Sequence, residues 1–402
     1  MAQPSDSDAG QAPAERTLAP LLILTGVFFL NFLSRIVLGP LLPALERDLG
    51  LTHAQAGGLF LPISAGYFTT LLLSGFISSR LGHRRTVILS GCLVGCAMLL
   101  AACAPGVWGL GLGLMLLGLA AGPYLPSGLA TLTGLVRPDH WGKALAVHEL
   151  APNLSFVLAP LVAVGLMELV SWRGVLALLG LASLAWGIFF ARKGRGGHFP
   201  GQSPDLGSLG ALARRPAFWI MMLLFCLGVG GSLGVYGMLP LFLVNERGMG
   251  MDQANLLVSL SRITGLGAAF LAGWANDRLG SRRTLAAIFA ATGLATLGLG
   301  LTSGPWLMAC LFLQPALAVC FFPPAFSSLA RLGPASARSV TVSLTVPPAF
   351  MVGGGMLPAA IGWLGERFSF GLGVALFGLA LLAATLMVLR LRLEPAAGPG
   401  RV

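Results

Sequence analysis

Charge is scarce in this sequence: Asp, Glu, Lys and Arg make up only 10% of its 402 residues. A soluble chain of this length needs a charged shell, so the composition excludes a water-soluble globule. Acid is scarcer than base, 14 residues against 25, which leaves a net charge of +11. The six cysteines, Cys92, Cys96, Cys103, Cys226, Cys310 and Cys320, all fall inside apolar runs and have no zinc-ligand spacing with histidine. They read as small apolar packing residues. There is no P-loop, no Ser-His-Asp or Cys-His arrangement and no metal-spaced cluster, so nothing argues for an enzyme, a metal, a cofactor or ATP hydrolysis.

What the chain has in abundance is apolar sequence, 56% of the residues, with a mean hydropathy of +0.85. Runs of about 20 apolar residues match a hydrocarbon layer of about 30 Å. They predict twelve membrane-spanning helices. The first six cover 18–43, 53–79, 86–104, 108–136, 144–170 and 174–191, and the second six cover 217–244, 253–276, 284–303, 306–330, 340–363 and 371–391. The 56 glycines and 26 prolines are too many for soluble helices but tolerable in a bilayer, where neighbouring helices re-satisfy freed backbone groups. Pro123, Pro126, Pro323, Pro324, Pro347 and Pro348 read as kinks in helices 4, 10 and 11.

The longest polar break, basic and Gly-rich, divides the chain near its middle. The expected organisation is a tail at 1–17, a six-helix bundle at 18–191, a central loop at 192–216, a second bundle at 217–391 and a tail at 392–402. Basic residues crowd into alternate breaks: Arg80, Arg84 and Arg85; Arg137 and Lys143; the central loop; Arg278, Arg282 and Arg283; Arg331 and Arg338. The other breaks hold little more than Arg47, Arg173, Arg247 and Arg367. The positive-inside rule then places the basic breaks, and both termini, in the cytoplasm. That placement, with no recognised nucleic-acid motif, argues against nucleic acid as a partner. The first 17 residues lack the pattern of a signal peptide.

One segment occurs twice. Gly75–Thr86 and Gly273–Thr284 share Gly, Arg, Leu, Gly, Arg, Arg and Thr in register, and each joins the second helix of its half to the third. Two copies at one topological place argue for internal duplication. The repeat resembles the loop signature of the major facilitator superfamily, closely in the second copy, with Gly273, Asp277, Arg278 and Gly280. The first copy has Ser79 where the family has Asp. The resemblance implies an all-α membrane protein of two pseudo-symmetric six-helix bundles around a central cavity, working by alternating access in the inner membrane, and a monomer. It also implies that Gly75, Arg80, Gly82, Arg84, Gly273, Asp277, Arg278, Gly280 and Arg282 serve gating, with a latch held mainly by the second copy.

Charge inside an apolar run costs at least about 2.5–3.5 kcal/mol, so each such residue is a functional candidate. Arg35 lies well inside the first helix, with Asn31 one turn before it. Arg262 lies eleven residues before Gly273, about 16 Å from the end of its helix at 1.5 Å per residue, which is near the midplane. Two arginines in opposite halves with almost no acid to neutralise them predict a cavity of positive potential. Their forked guanidinium groups suit carboxylate, sulfonate, nitrate or phosphate. The stretch Asn31–Tyr67 resembles the anion:cation symporters, and an arginine in the eighth helix resembles the monocarboxylate and oxalate:formate carriers.

Tyr67, Tyr124 and Tyr236 are the only tyrosines, and their hydroxyls are candidates to orient a carboxylate. Glu149 is the proton-coupling candidate, with His148 beside it. The expected function is secondary transport of a small organic anion, a carboxylate first, with protons or a counter-anion as partner. Proton-driven drug or metabolite efflux is the alternative, disfavoured by the excess of base over acid within the membrane. A membrane sensor without transport is a third reading, for which no large extramembrane domain is available to relay a signal.

Overall fold

The computed structural model describes residues 14–202, 214–329, 331–332 and 338–391. Positions 1–13 of the expected tail at 1–17, the tail at 392–402 and positions 203–213 of the central loop lie outside the described residues; Ala14–Thr17 of the expected tail are instead helical and lead into α1. Twelve apolar spans follow one another: α1 (Leu18–Leu49), α2 (His53–Leu72 and Ser74–Leu81), α3 (His83–Ala102), α4 (Val107–Leu135), α5 (Pro138–Met167), α6 (Trp172–Lys193), α7 (Pro216–Asn245), α8 (Met251–Leu279), α9 (Ser281–Leu301), α10 (Gly304–Leu329), α11 (Thr341–Arg367) and α12 (Phe370–Arg390). The two parts of α2 are bent by 56° at Leu73. Each helix expected from hydropathy is there. The largest differences are of six residues: α1 runs on through Pro43 to Leu49, past the expected 43, and α5 starts six residues before the expected 144, because Pro138 opens a 3-10 turn that runs directly into the helix. Proline suits that position, since the first amide of a helix lacks a partner in any case.

Between helices in lipid, close van der Waals packing has to supply what the hydrophobic effect supplies in water. The two halves do this in the same way. A methyl group on Gly95 of α3 would lie 2.6 Å from the carbonyl oxygen of Gly180 on α6. In the second half a methyl on Gly371 of α12 would lie 2.6 Å from the carbonyl oxygen of Gly300 on α9. Both seams therefore require backbone-to-backbone contact that any larger residue would prise apart.

The helices are not uniform. The helical segments of α4 end at Ala121 and resume at Tyr124, flanking Pro123, and those of α10 break between Val319 and Phe322, just before Pro323. In α11 the helix instead runs through Pro347 and Pro348, and the irregularity follows them as a π-helical turn at Val352–Met356. A second π turn, Gly230–Gly234, lies in α7 and packs against the first. Such turns leave backbone carbonyls without their usual intrahelical partner. Here Gln314 Nε2 donates to the Gly231 carbonyl at 2.8 Å, and Arg262 Nη2 donates to that of Ser232 at 2.6 Å.

The halves meet through α1 against α7, α2 against α11, and α5 against α8. Gly39 faces Gly237, and Gly57 faces Gly362 and the Pro358 carbonyl, so the backbones nearly touch. Asn255 of α8 donates to the Pro40 carbonyl at 3.2 Å, and Ser259 to the Val157 carbonyl at 2.7 Å. The first two glycine contacts and the Asn255 bond lie toward the end remote from the repeated loops.

Both loop copies turn at a glycine with the same backbone geometry: Gly82 has φ 77° and ψ 156°, and Gly280 has φ 81° and ψ 154°. Only glycine adopts this conformation without strain. In the first copy Arg84 donates to the carbonyls of Gly194 (2.7 Å) and Ala191 (2.9 Å), capping the C-terminal end of α6 where carbonyls lack helical partners. The backbone of 197–201 lies over this copy, bonded to His83, Arg84 and Ser78. In the second copy Arg278 stacks on Trp274 at 4.7 Å, Arg282 is exposed, and Asp277 forms no ion pair among the described residues. Among the described residues the first copy is bonded to the end of α6 and to 197–201, while the second copy reaches α10 through the Ser281 hydroxyl, which donates to Ser327 at 3.4 Å. The expected second-half latch concerns a conformation sealed at this end.

Candidate anion site between the halves

Arg35 and Arg262 are both buried, 8% and 6% exposed, and neither has a carboxylate partner among the described residues. What surrounds them is aromatic. The Arg35 guanidinium lies 4.2 Å from the ring centre of Tyr67 on α2, 5.0 Å from Phe32 and 5.9 Å from Phe350 on α11. The Arg262 guanidinium lies 4.2 Å from Phe156 on α5 and 4.6 Å from Tyr236 on α7. Phe32 and Phe156 meet edge to face at 5.3 Å, so one continuous aromatic chain carries both arginines.

The magnitudes decide what this arrangement asks for. Stacking returns about 0.5–2 kcal/mol per contact, and a hydrogen bond from a charged group about 1.5–3 kcal/mol. Arg262 has its bond to Ser232; Arg35 has a long one, 3.5 Å from Nε to the Asn31 carbonyl, and its guanidinium also hydrogen-bonds the Tyr67 side chain. The aromatic rings cover the faces of the guanidinium groups, and the buried Nε of Arg262 has no hydrogen-bond partner among the described residues. Desolvated guanidinium groups have the chemistry to bind an oxyanion through their in-plane donors.

The other expected site residues are placed as follows. Tyr67 and Tyr236 stand against the two arginines, and the Tyr236 hydroxyl donates to the Phe156 carbonyl at 3.3 Å. Asn31 turns its amide into the first half, where it donates to Ser90 at 3.3 Å and to the Ala121 carbonyl at 3.2 Å, tying α1 to α3 and α4. Tyr124 is fully buried within the same half; its hydroxyl donates to the Leu24 carbonyl at 2.9 Å and stands 3.1 Å from His148 Nε2. His148 stacks on Phe28 at 4.5 Å. Glu149 is exposed, 3.9 Å from His148 Nδ1. It lies seven residues before Phe156, so two turns of α5 place both on one face, about 10 Å apart, with Glu149 on the side of the basic loops.

Sequence reading missed the aromatic shell of Phe32, Phe156 and Phe350, because phenylalanine in an apolar helix carries no periodic signal of its own. It also missed the Ser232 carbonyl. The glycines at 230, 231 and 234, inside an otherwise apolar run, were the available sign of a deformed helix.

With this geometry in place, the chain's relatives can be described. It matches the description of the Major Facilitator Superfamily over residues 24–345 and 235–402, and it belongs to that family. In fold it resembles a bacterial homologue of the human lysosomal transporter Spinster in an inward-facing and unoccupied conformation, with a TM-score of 0.80, 15% identity, and 96% of this chain and 100% of that one covered. Among curated proteins it is similar to the probable sulfoacetate transporter SauU of Cupriavidus necator, at 24% identity over 64% of each chain. It is also similar to the 4-hydroxybenzoate transporter PcaK of Pseudomonas aeruginosa, at 25% identity over 86% of this chain and 85% of that one. The chain is thus a multi-pass membrane transporter of the superfamily.

Proposed function

We propose that the protein is a secondary carrier for a small organic anion, a carboxylate before other oxyanions, and that Arg35 and Arg262 clamp it between the two halves. The observation that carries this reading is the pair of buried guanidinium groups, one from each half, with no acidic partner among the described residues. Sulfoacetate and 4-hydroxybenzoate, in the names of similar proteins, are anions of this kind. A cargo that touches both halves suits alternating access, because its affinity then changes as the halves rock about it. The basic loops face the cytoplasm by the positive-inside rule, so this arrangement is the one sealed on the outer side. Glu149, exposed on the site's face of α5, is the candidate for proton exchange with the cytoplasm, with His148 behind it.

Flux into proteoliposomes loaded with and without a counter-anion tests the reading. Arg35→Gln and Arg262→Gln should each lower carboxylate flux by about 30-fold or more, the effect of truncating one partner of a desolvated charge contact. Glu149→Gln should abolish proton-driven uptake and spare anion exchange. Unchanged carboxylate flux in both arginine variants would remove the basis of the proposal.

A further inference from the structure

A second cluster of titratable groups lies at the end remote from the basic loops, away from the arginines. Glu46 near the end of α1, His53 at the start of α2 and Glu366 near the end of α11 meet there. His53 Nδ1 is 2.8 Å from Glu46 Oε1. The other oxygen of Glu46 accepts from Asn245 Nδ2, at 2.9 Å, across the division between halves. Glu366 reaches back from the second half and accepts from the Ala54 amide at 3.0 Å. That amide belongs to the free N-terminal turn of α2, where a carboxylate is favoured. The imidazole packs on Phe370 of α12 at 4.8 Å, and a methyl group on Gly362 would lie 2.5 Å from the His53 carbonyl oxygen.

The neighbouring charges do not compete for the imidazole. Asp48 on α1 accepts from Trp172 Nε1 (2.9 Å) and pairs with Arg173 at 2.5 Å, while Glu246 at the end of α7 accepts from the Gly371 amide at 3.0 Å. Arg47 and Arg367 are the nearby cations on the elements packed around His53; Arg47 has no ion pair among the described residues, and Arg367 lies next in sequence to Glu366. His53 thus has Glu46 of its own half in hydrogen-bond contact, and Glu366 of the other half held on the amide of the next residue.

We propose that Glu46, His53 and Glu366 form a proton-binding clasp that seals this end of the carrier, with a proton on His53 favouring the sealed arrangement. Protonation turns the His53–Glu46 contact from a hydrogen bond between a neutral imidazole and a carboxylate into an ion pair, and places a full positive charge at the turn where Glu366 is held on the Ala54 amide. Glu366 stands beside that charge only when the halves are together at this end. By linkage, proton binding from this side and closure of this side then favour each other. The clasp does not depend on the identity of the cargo.

The test is the distance between spin labels on Leu169→Cys, just past α5, and Trp306→Cys, at the start of α10, in the full chain in nanodiscs with the six native cysteines replaced and no anion added. Both positions are exposed at this end of the molecule, one in each half. From pH 8 to pH 6 the ratio of short-distance to long-distance populations should rise about fivefold, the lower range of allosteric couplings. His53→Gln, which keeps a side-chain donor for Glu46, should show a flat profile. His53→Lys should hold the short distance at both pH values. An unchanged pH response in His53→Gln, or no response in the parent, would overturn the clasp and leave the anion reading intact.

Discussion

In the first half the arginine stands on α1 and its tyrosine on α2; in the second half the tyrosine stands on α7 and the arginine on α8. The two halves offer the same pair of side chains with the helices exchanged. Counting from the two loop copies, the repeat mate of Arg262 is Ser64 and that of Arg35 is Leu233. Neither arginine was therefore carried over as a copy of the other. The scaffold shows the opposite pattern. Asp48 and Glu246 are mates in the same register, and each lies at the start of the last helix of its half, Asp48 against Trp172 and Arg173 and Glu246 on the Gly371 amide. Gly82 and Gly280 are mates with the same dihedral angles, and Gly95 and Gly180, in contact across the α3–α6 seam, have mates in Gly293 and Gly378, in contact across the α9–α12 seam. Duplication accounts for the frame, while the two arginine–tyrosine pairs were built separately on it.

That comparison can be broken experimentally. The largest effect should come from Phe156, which supports Arg262 and also joins it to the ring on which Arg35 lies. Phe156→Leu should weaken carboxylate affinity by about fivefold, the worth of one desolvated cation–aromatic contact, with melting temperature little altered. Equal affinity in that variant would mean the two aromatic shells are packing alone. A smaller effect sharpens the other side of the comparison. Asp48→Asn and Glu246→Gln each remove a carboxylate from the start of the last helix of one half, where negative charge is favoured. The two variants should lower the melting temperature by similar amounts, and anion affinity should not move. A loss confined to one half would mean the frame is less symmetric than its geometry.

Much of this was legible in the sequence, for physical reasons that also explain the rest. Apolar runs longer than a bilayer is thick admit one secondary structure, so the helices could be placed within a few residues. The repeated loop could be read because Gly82 and Gly280 need a backbone conformation that other residues avoid. Arg35 and Arg262 stood out because charge in such a run is costly. Asn31 shows the limit: its spacing from Arg35 by one turn suggested a shared face, yet its amide finds Ser90 and the Ala121 carbonyl inside the first half. Periodicity gives a direction around a helix and says nothing of which partner lies there. The clasp was invisible for the same reason, since Glu46, His53 and Glu366 sit in short breaks or helix ends that mean nothing until α2 and α11 are side by side.

The central claim is that the arginines of the two halves hold one anion. A double-mutant cycle measures this most directly, with carboxylate affinity taken from thermal shift or titration for the parent, Arg35→Gln, Arg262→Gln and the double variant. Each single loss should weaken binding by about 30-fold or more, and the double loss should fall well short of their product, because groups on one ligand couple. Losses that multiply independently, or a single variant that binds as the parent does, would contradict a shared site.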